Sequence, residues 1–150
     1  MSKRAIRFLQ KYERLMTDAE RLMDERLYLI NMAQGTKAIQ LKPDKIQTSV
    51  SGDMLGDAVA RYVALDADIE KALSKIAETR NEIEKTIRTV EDDKLSDVLY
   101  YRYIKLIPLF DVGDYMRKSN GKRYSYQHIR RLHAEGIKAV DELIQKKFDK

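Results

Sequence analysis

The chain of 150 residues contains no cysteine, only two prolines and only six glycines. Without cysteine it forms neither a disulfide nor a thiolate metal site, a composition that suits a reducing cytoplasm. No apolar run is long enough to span a bilayer. The basic stretch Met1–Arg7 is followed by interspersed charge rather than by the apolar core of a secretory signal. A cytoplasmic protein without a membrane partner is therefore expected. The two histidines, His128 and His133, stand five residues apart. On a helix they point in different directions, whereas a two-ligand zinc site needs a spacing of three or four. No phosphate-cradling glycine loop is present. The serines near the histidines read as helix caps rather than as nucleophiles. The expectation is a protein that is not an enzyme and holds no metal or cofactor.

What is present is charge and helical periodicity. Charged residues make up 35% of the chain and apolar ones 43%. With few helix breakers, that combination predicts long amphipathic helices and an all-α fold. The charge is unevenly placed. Arg117–Lys150 carries ten Lys/Arg against four Asp/Glu, while the first 116 residues carry nineteen against twenty. A local basic excess points to a polyanionic partner or, in the plainer reading, to a solvated basic tail.

Three zones follow. The first is a helix over about Ser2–Ala33, with apolar residues at Leu9, Tyr12, Met16, Ala19, Met23, Leu27 and Ile30, ended by Gln34-Gly35-Thr36. A polar linker containing Pro43 leads to Ser51, a suitable N-cap. The second zone has a four–three seam at Leu55, Val59, Tyr62, Asp66, Ile69, Leu73, Ile76, Arg80, Ile83, Ile87 and Val90, in which nine of eleven positions are apolar or aromatic. Such a seam marks a coiled-coil-like helix, about 58 Å long from Gly52 to Val90. Folded back on the first helix, it gives a long antiparallel coiled-coil hairpin over residues 1–90, with seam left over for a second copy and hence a homodimer. Asp66 and Arg80 interrupt the seam and are expected at its solvent edge.

The third zone, residues 91–150, opens at the acidic trio Glu91-Asp92-Asp93, which suits a helix N-terminus. A helix over about Lys94–Lys105 should turn Leu95, Val98, Leu99 and Arg102-Tyr103 inward. A short helix over Phe110–Arg117 follows Pro108. After the polar turn from Lys118 comes a last helix, opening at Tyr124 or Ser125 and running to about Lys146, with Ile129, Leu132, Ile137, Val140 and Ile144 inward. Short helix, polar turn and longer basic helix outline a helix-turn-helix. Helical spacing leaves Ser125, Tyr126, Gln127, Arg130 and Arg131 outward. These residue types suit double-stranded DNA: Arg pairs with guanine, Gln with adenine, and hydroxyls with phosphates. Lys118, Lys122 and Arg123 in the turn suit backbone contacts, and His128 faces phosphate or solvent. Tyr100, Tyr101 and Tyr103 are expected in the core rather than as a stacking platform.

The stretches Val98-Leu99-Tyr100-Tyr101-Arg102-Tyr103-Ile104, Val112-Gly113-Asp114-Tyr115-Met116 and Ser125-Tyr126-Gln127-His128-Ile129-Arg130-Arg131-Leu132-His133 resemble the DNA-reading helix-turn-helix of primary-type sigma factors (region 4). More closely, the chain is similar to the sigma-region-4-like regulators of phages and mobile elements of Gram-positive bacteria, the ArpU-type late transcription regulators and their relatives. Lys45-Ile46-Gln47-Thr48-Ser49-Val50-Ser51-Gly52-Asp53 and Val59-Ala60 share that likeness, which spans about Lys45–Leu143. The resemblance implies transcription regulation by promoter binding, with Tyr126, Gln127, Arg130 and Arg131 at base-reading positions. Two departures stand out: the turn over Lys118–Tyr124 is longer than the motif's, and Gly136 replaces the usual Ala. Alternative readings are a coiled-coil adaptor, for example one contacting RNA polymerase, or a small DNA-recognition subunit of phage packaging.

Overall fold

The computed structural model describes the backbone of residues 1–40 and 52–150 and the side chains of residues 1–34 and 55–150. The expected linker with Pro43 and the expected cap at Ser51 lie outside the described residues. Among the described residues the regular elements are helices: α1 (Lys3–Leu9), α2 (Lys11–Gln40), α3 (Gly52–Arg88), α4 (Asp93–Tyr103), α5 (Val112–Tyr115) and α6 (Tyr126–Phe148). The fold is thus all-α, and none of these helices is long and apolar enough to cross a membrane.

Local chemistry accounts for most of the ends. Ser2 caps α1 by accepting from the Ala5 amide. Asp92 caps α4, its Oδ1 accepting from the amides of Lys94 and Leu95 at 2.9 and 3.3 Å. Ser125 caps α6, its Oγ accepting from His128 N–H at 3.3 Å. Each side chain satisfies amide donors that the first helical turn leaves without partners. The first zone is split at Gln10 into two helices. Its end is also later than expected, because helical backbone continues through Gly35 to Gln40.

By its contacts the described chain divides into two compact units, Met1–Arg14 with Ile76–Lys150, and Leu15–Lys75. These bounds differ from a division after residue 90. The reason lies in the core of the first unit, where Ala5 and Leu9 of α1 and Ile83, Ile87 and Val90 join Val98, Leu99, Val112, Ile129, Ile137 and Val140. Within it α6 packs on α4, α1 and α5. Ser2 Oγ donates to Asp141 Oδ1 at 2.6 Å, and Arg4 Nε reaches the same oxygen at 2.9 Å, tying the start of α1 to α6. Those bonds, the serine's first, hold the Asp141 carboxyl below the usual carboxylate range. A Cβ on Gly136 would stand 3.1–3.2 Å from the Leu99 side chain. The glycine therefore lets α4 approach α6 closely, at the expense of about 1 kcal/mol of helix propensity.

In the second unit Arg26 of α2 pairs with Asp66 of α3, and Leu29 and Met32 share a cavity with Asp57, Ala58 and Arg61. Moving forward in α2 thus meets residues earlier in α3. Of the expected seam, Leu55, Val59, Tyr62, Ile69, Ile76, Arg80, Ile83, Ile87 and Val90 are buried or half-buried, and only Asp66 and Leu73 are exposed. Beside it a second flank, Ala58, Leu65, Ala72, Thr79 and Thr86, is also buried or half-buried. On α2 the inward residues are Ala19, Leu22, Arg26, Leu29, Ile30 and Ala33, whereas the expected Met23 and Leu27 are exposed. Apart from Leu65 that second flank has small side chains, Ala58, Ala72, Thr79 and Thr86, and the larger Leu73 is left 47% exposed. Asp66 is half-exposed, and Arg80 pairs with Glu84 one turn away, so both interruptions of the expected seam reach solvent.

Candidate nucleic-acid interface

The segment Pro108–Phe148 is built on two tight approaches. A Cβ on Gly113 would lie 2.6 Å from the Tyr124 carbonyl oxygen, a distance no side-chain carbon tolerates. Glycine here lets α5 pack on the backbone entering α6. Tyr124 is itself buried, and its ring stacks on His128 at 5.2 Å with a 16° interplanar angle. The expected short helix over Phe110–Arg117 shrinks to the single turn of α5, because Met116 turns extended and starts a different structure.

That structure is a small hairpin. Arg117 and Arg123 form an antiparallel bridge. The Lys118 amide donates to the Lys122 carbonyl at 3.0 Å, and the Gly121 amide donates to the Lys118 carbonyl at 2.8 Å. Gly121 turns the chain at φ +79°, a left-handed conformation that glycine adopts without Cβ strain. Asn120 Oδ1 accepts from the Lys122 amide at 3.1 Å. The length of the turn is thus ordered backbone, and it holds Lys118, Lys122 and Arg123 exposed on one small projection. Arg123 Nε lies 3.2 Å from Asp114 Oδ1. The Lys118 ammonium sits 5.4 Å from the Tyr124 ring centroid.

On α6, Ile129, Leu132, Ile137, Val140 and Ile144 are buried, as their spacing predicts. Ser125, Tyr126, Gln127, Arg130 and Arg131 are all exposed. Gln127, Arg130, Arg131, Ala134 and Lys138 follow the three–four spacing of one helical face, with the exposed Glu135 on its edge between Arg131 and Lys138. Arg130 lies over the Tyr126 ring at 5.8 Å, and Tyr126 meets Phe110 at 5.2 Å. His128 is half-buried rather than fully outward. Its Nδ1 is 2.8 Å from Arg131 Nη2. Arginine only donates, so Nδ1 accepts and the ring proton belongs on Nε2. Burial, then the charges of Arg131, Lys118 and Lys94, lower the His128 pKa, leaving the ring neutral at pH 7.

All nine expected residues therefore fall on one contiguous piece of chain, the hairpin and the first two turns of α6. Sequence reasoning passed over Arg117 beside the hairpin, Lys138 two turns beyond Arg131, and the exposed aromatics Phe110 and Tyr115. The seven-residue spacing from Arg131 could have found Lys138. From Tyr115 to Ala134 there are six Lys/Arg and no Asp/Glu. His133 is half-buried at the edge of this face. It is hydrogen-bonded to Tyr103 Oη at 2.8 Å and stacked on that ring, with its pKa lowered by burial and then by Arg102 to about 4. Tyr103 is buried, and Tyr100 and Tyr101 pack against the core, as expected for core tyrosines. Comparison with models of protein families, with curated proteins and with solved structures gives no match.

Proposed function

We propose that this chain is a sequence-specific double-stranded DNA-binding transcriptional regulator of phage or mobile-element genes, and not an enzyme, that reads the major groove with the helix starting at Tyr126. The observation that carries the reading is the exposed group Gln127, Arg130 and Arg131 at the start of α6, next to a hairpin bearing Lys118 and Lys122, in a stretch from Tyr115 to Ala134 that holds no acid. Arg and Gln have the paired donors and acceptors that base edges require, and the hairpin cations suit phosphates. The resemblance to sigma-region-4-like regulators points the same way. In this reading residues 91–150 are the helix-turn-helix part, and the two long helices form an antiparallel coiled-coil hairpin.

A homodimer is part of the proposal. Met23, Leu27, Val63 and Leu73 stay exposed on the long helices although their apolar character calls for cover. The same residues would serve an adaptor that contacts RNA polymerase, or a packaging subunit that assembles into a ring.

The test is a panel of four alanine variants titrated against cognate and scrambled duplexes at several salt concentrations. Arg130→Ala or Arg131→Ala should cost roughly 1–3 kcal/mol on the cognate site and much less on the scrambled one. Lys122→Ala should weaken both duplexes alike and flatten the salt dependence. Arg123→Ala should do so less, because Asp114 already engages that guanidinium. Absence of duplex binding even at low salt would remove this reading in favour of the adaptor.

A further inference from the structure

At the opposite end of α6 from the DNA-reading face, the first unit holds a groove of about 580 Å³ between α1, α3 and the last turns of α6. Its apolar lining comes from Phe8, Ile144 and Phe148, the last of these 79% exposed. Its rim along α1 and the first residue of α2 carries Lys3, Arg7 and Lys11, each four residues from the next, and Lys147 adds a fourth cation from α6. No carboxylate among the described residues pairs with any of these four, whereas Arg4, also in the lining, is engaged by Asp141. Glu82 of α3 is the one acid that lines the groove.

We propose that this groove docks an acidic amphipathic helix of a partner protein, with apolar side chains against Phe8, Ile144 and Phe148 and a row of carboxylates along Lys3, Arg7 and Lys11. Charge complementarity selects the occupant. Cations four residues apart rise about 6 Å per step, the same repeat as Asp/Glu at i and i+4 on a facing helix. The groove falls in the size range that takes a few large apolar groups. Nucleic acid fits less well, because a sugar-phosphate backbone would leave the aromatic lining uncovered. A bilayer fits less well because the apolar surface is concave. Glu82 repels carboxylates from the α3 wall and so fixes which flank of the peptide faces α1. A regulator equipped in this way holds DNA with one end of α6 and a protein with the other. The inference does not depend on the DNA reading, since none of the groove residues belongs to that interface.

The experiment uses the full chain and a fluorescein-labelled amphipathic peptide with Leu and Phe on one face and Asp and Glu at i, i+4 along its flank, followed by fluorescence polarisation. Saturable binding is expected. It should weaken by about tenfold or more in Arg7→Glu/Lys11→Glu and in Lys3→Glu/Lys147→Glu, and also in Phe148→Ser, with duplex affinity unchanged. These residues other than the groove-lining Phe8 and Ile144 are exposed, so the variants keep the core; circular dichroism confirms it. Equal binding of a Lys-substituted version of the peptide would overturn the proposal. So would displacement of the peptide by duplex DNA, or binding to anionic phosphatidylglycerol vesicles with no binding of the peptide.

Discussion

The unit formed by Met1–Arg14 and Ile76–Lys150 and the unit Leu15–Lys75 solve the problem of burial differently. All of the largest fully buried side chains belong to the first, among them Leu9, Ile83, Leu99, Ile129 and Ile137. In the second, three of the five buried apolar residues among those described are alanines, Ala19, Ala33 and Ala58, with Leu29 and Ile69 beside them. Its larger apolar residues Met23, Leu27, Tyr28, Val63 and Leu73 are among the most exposed of the chain. Apolar burial contributes about 25 cal/mol per Å², so the first unit has the means to be stable by itself. The second is two helices held by small side chains and the Arg26–Asp66 pair, which is surface-exposed and so worth little. The well-packed core presents the exposed face of α6 proposed to meet DNA, and the long helices leave apolar surface for the proposed association.

Truncation in each unit tests the contrast most strongly. Ile129→Ala should cost about 3–4 kcal/mol of unfolding free energy, since the side chain is fully buried and its removal leaves a cavity. Leu73→Ala should cost under about 0.5 kcal/mol in dilute, monomeric protein. Denaturant titration of both variants decides. Similar losses would mean that the two units share their stability, and the contrast would fail.

Gly113→Ala comes next, at about 2–3 kcal/mol, because the new methyl meets the Tyr124 carbonyl rather than a side chain that can rotate away. Since Tyr124 leads directly into α6, duplex affinity should fall as well. Gly136→Ala sets the gain of helix propensity, about 1 kcal/mol, against overpacking of the fully buried Leu99, and should come out destabilising by about 1 kcal/mol. Combined with Leu99→Ala, the same substitution should become neutral or favourable, because the methyl then fills part of the cavity. A double-mutant cycle without coupling would show that the close α4–α6 approach is not what the glycine serves.

How much of this was legible follows from what each feature depends on. The caps Asp92 and Ser125 and the inward residues of α6 were readable, because capping and helical period are local chemistry. Of the proposed interface, Ser125, Tyr126, Gln127, Arg130 and Arg131 were readable as outward-facing for the same reason, whereas His128 is half-buried. The seam of α3 was legible except at Leu73. Apolarity ranks Leu73 above Ala72, whereas the smaller Ala72 is the one half-buried and Leu73 is 47% exposed. The hairpin over Arg117–Arg123 was read only as a polar turn, because its bridge depends on Gly113 and Tyr124 holding the two ends. The basic groove was invisible, since residues 3–11, 82 and 144–148 meet only in the fold.

The first unit should also be the pH-sensitive one. His133 is buried against Tyr103 with its pKa lowered to about 4, against an ordinary value of 6.5. Between these values the unfolded chain takes up a proton that the folded chain refuses. Stability is therefore full above about pH 6.5, falls as the pH drops towards 4, and changes no further from this group below that. The loss should be about 2 kcal/mol once partial solvent screening is allowed for. His133→Gln should flatten the dependence in denaturant titrations at pH 7 and pH 4.5. An unchanged slope in that variant would assign the acid sensitivity to other groups.

The smallest effect on stability should accompany the largest effect on mass. Leu27→Glu and Leu73→Glu each place a charge on a residue that is about half exposed, 57% and 47%. In a monomer neither substitution removes a buried contact, so unfolding at low concentration should change by less than about 0.5 kcal/mol. If a second copy covers these residues, the same charges must be desolvated at the interface, and the dimer should dissociate. Light scattering at micromolar concentration then reads a dimer for the unaltered chain and a monomer for the double variant. Concentration-dependent thermal unfolding should be lost in the variant, because a partner that binds only the folded state stabilises by mass action. Ile129→Ala supplies the reverse case, lower stability with the dimer retained, since that side chain lies in the other unit. An unaltered chain that is already monomeric would place the exposed apolar residues in solvent. The thin unit would then be a spacer between functions rather than a means of pairing, and the reading as a dimeric regulator would give way to the adaptor.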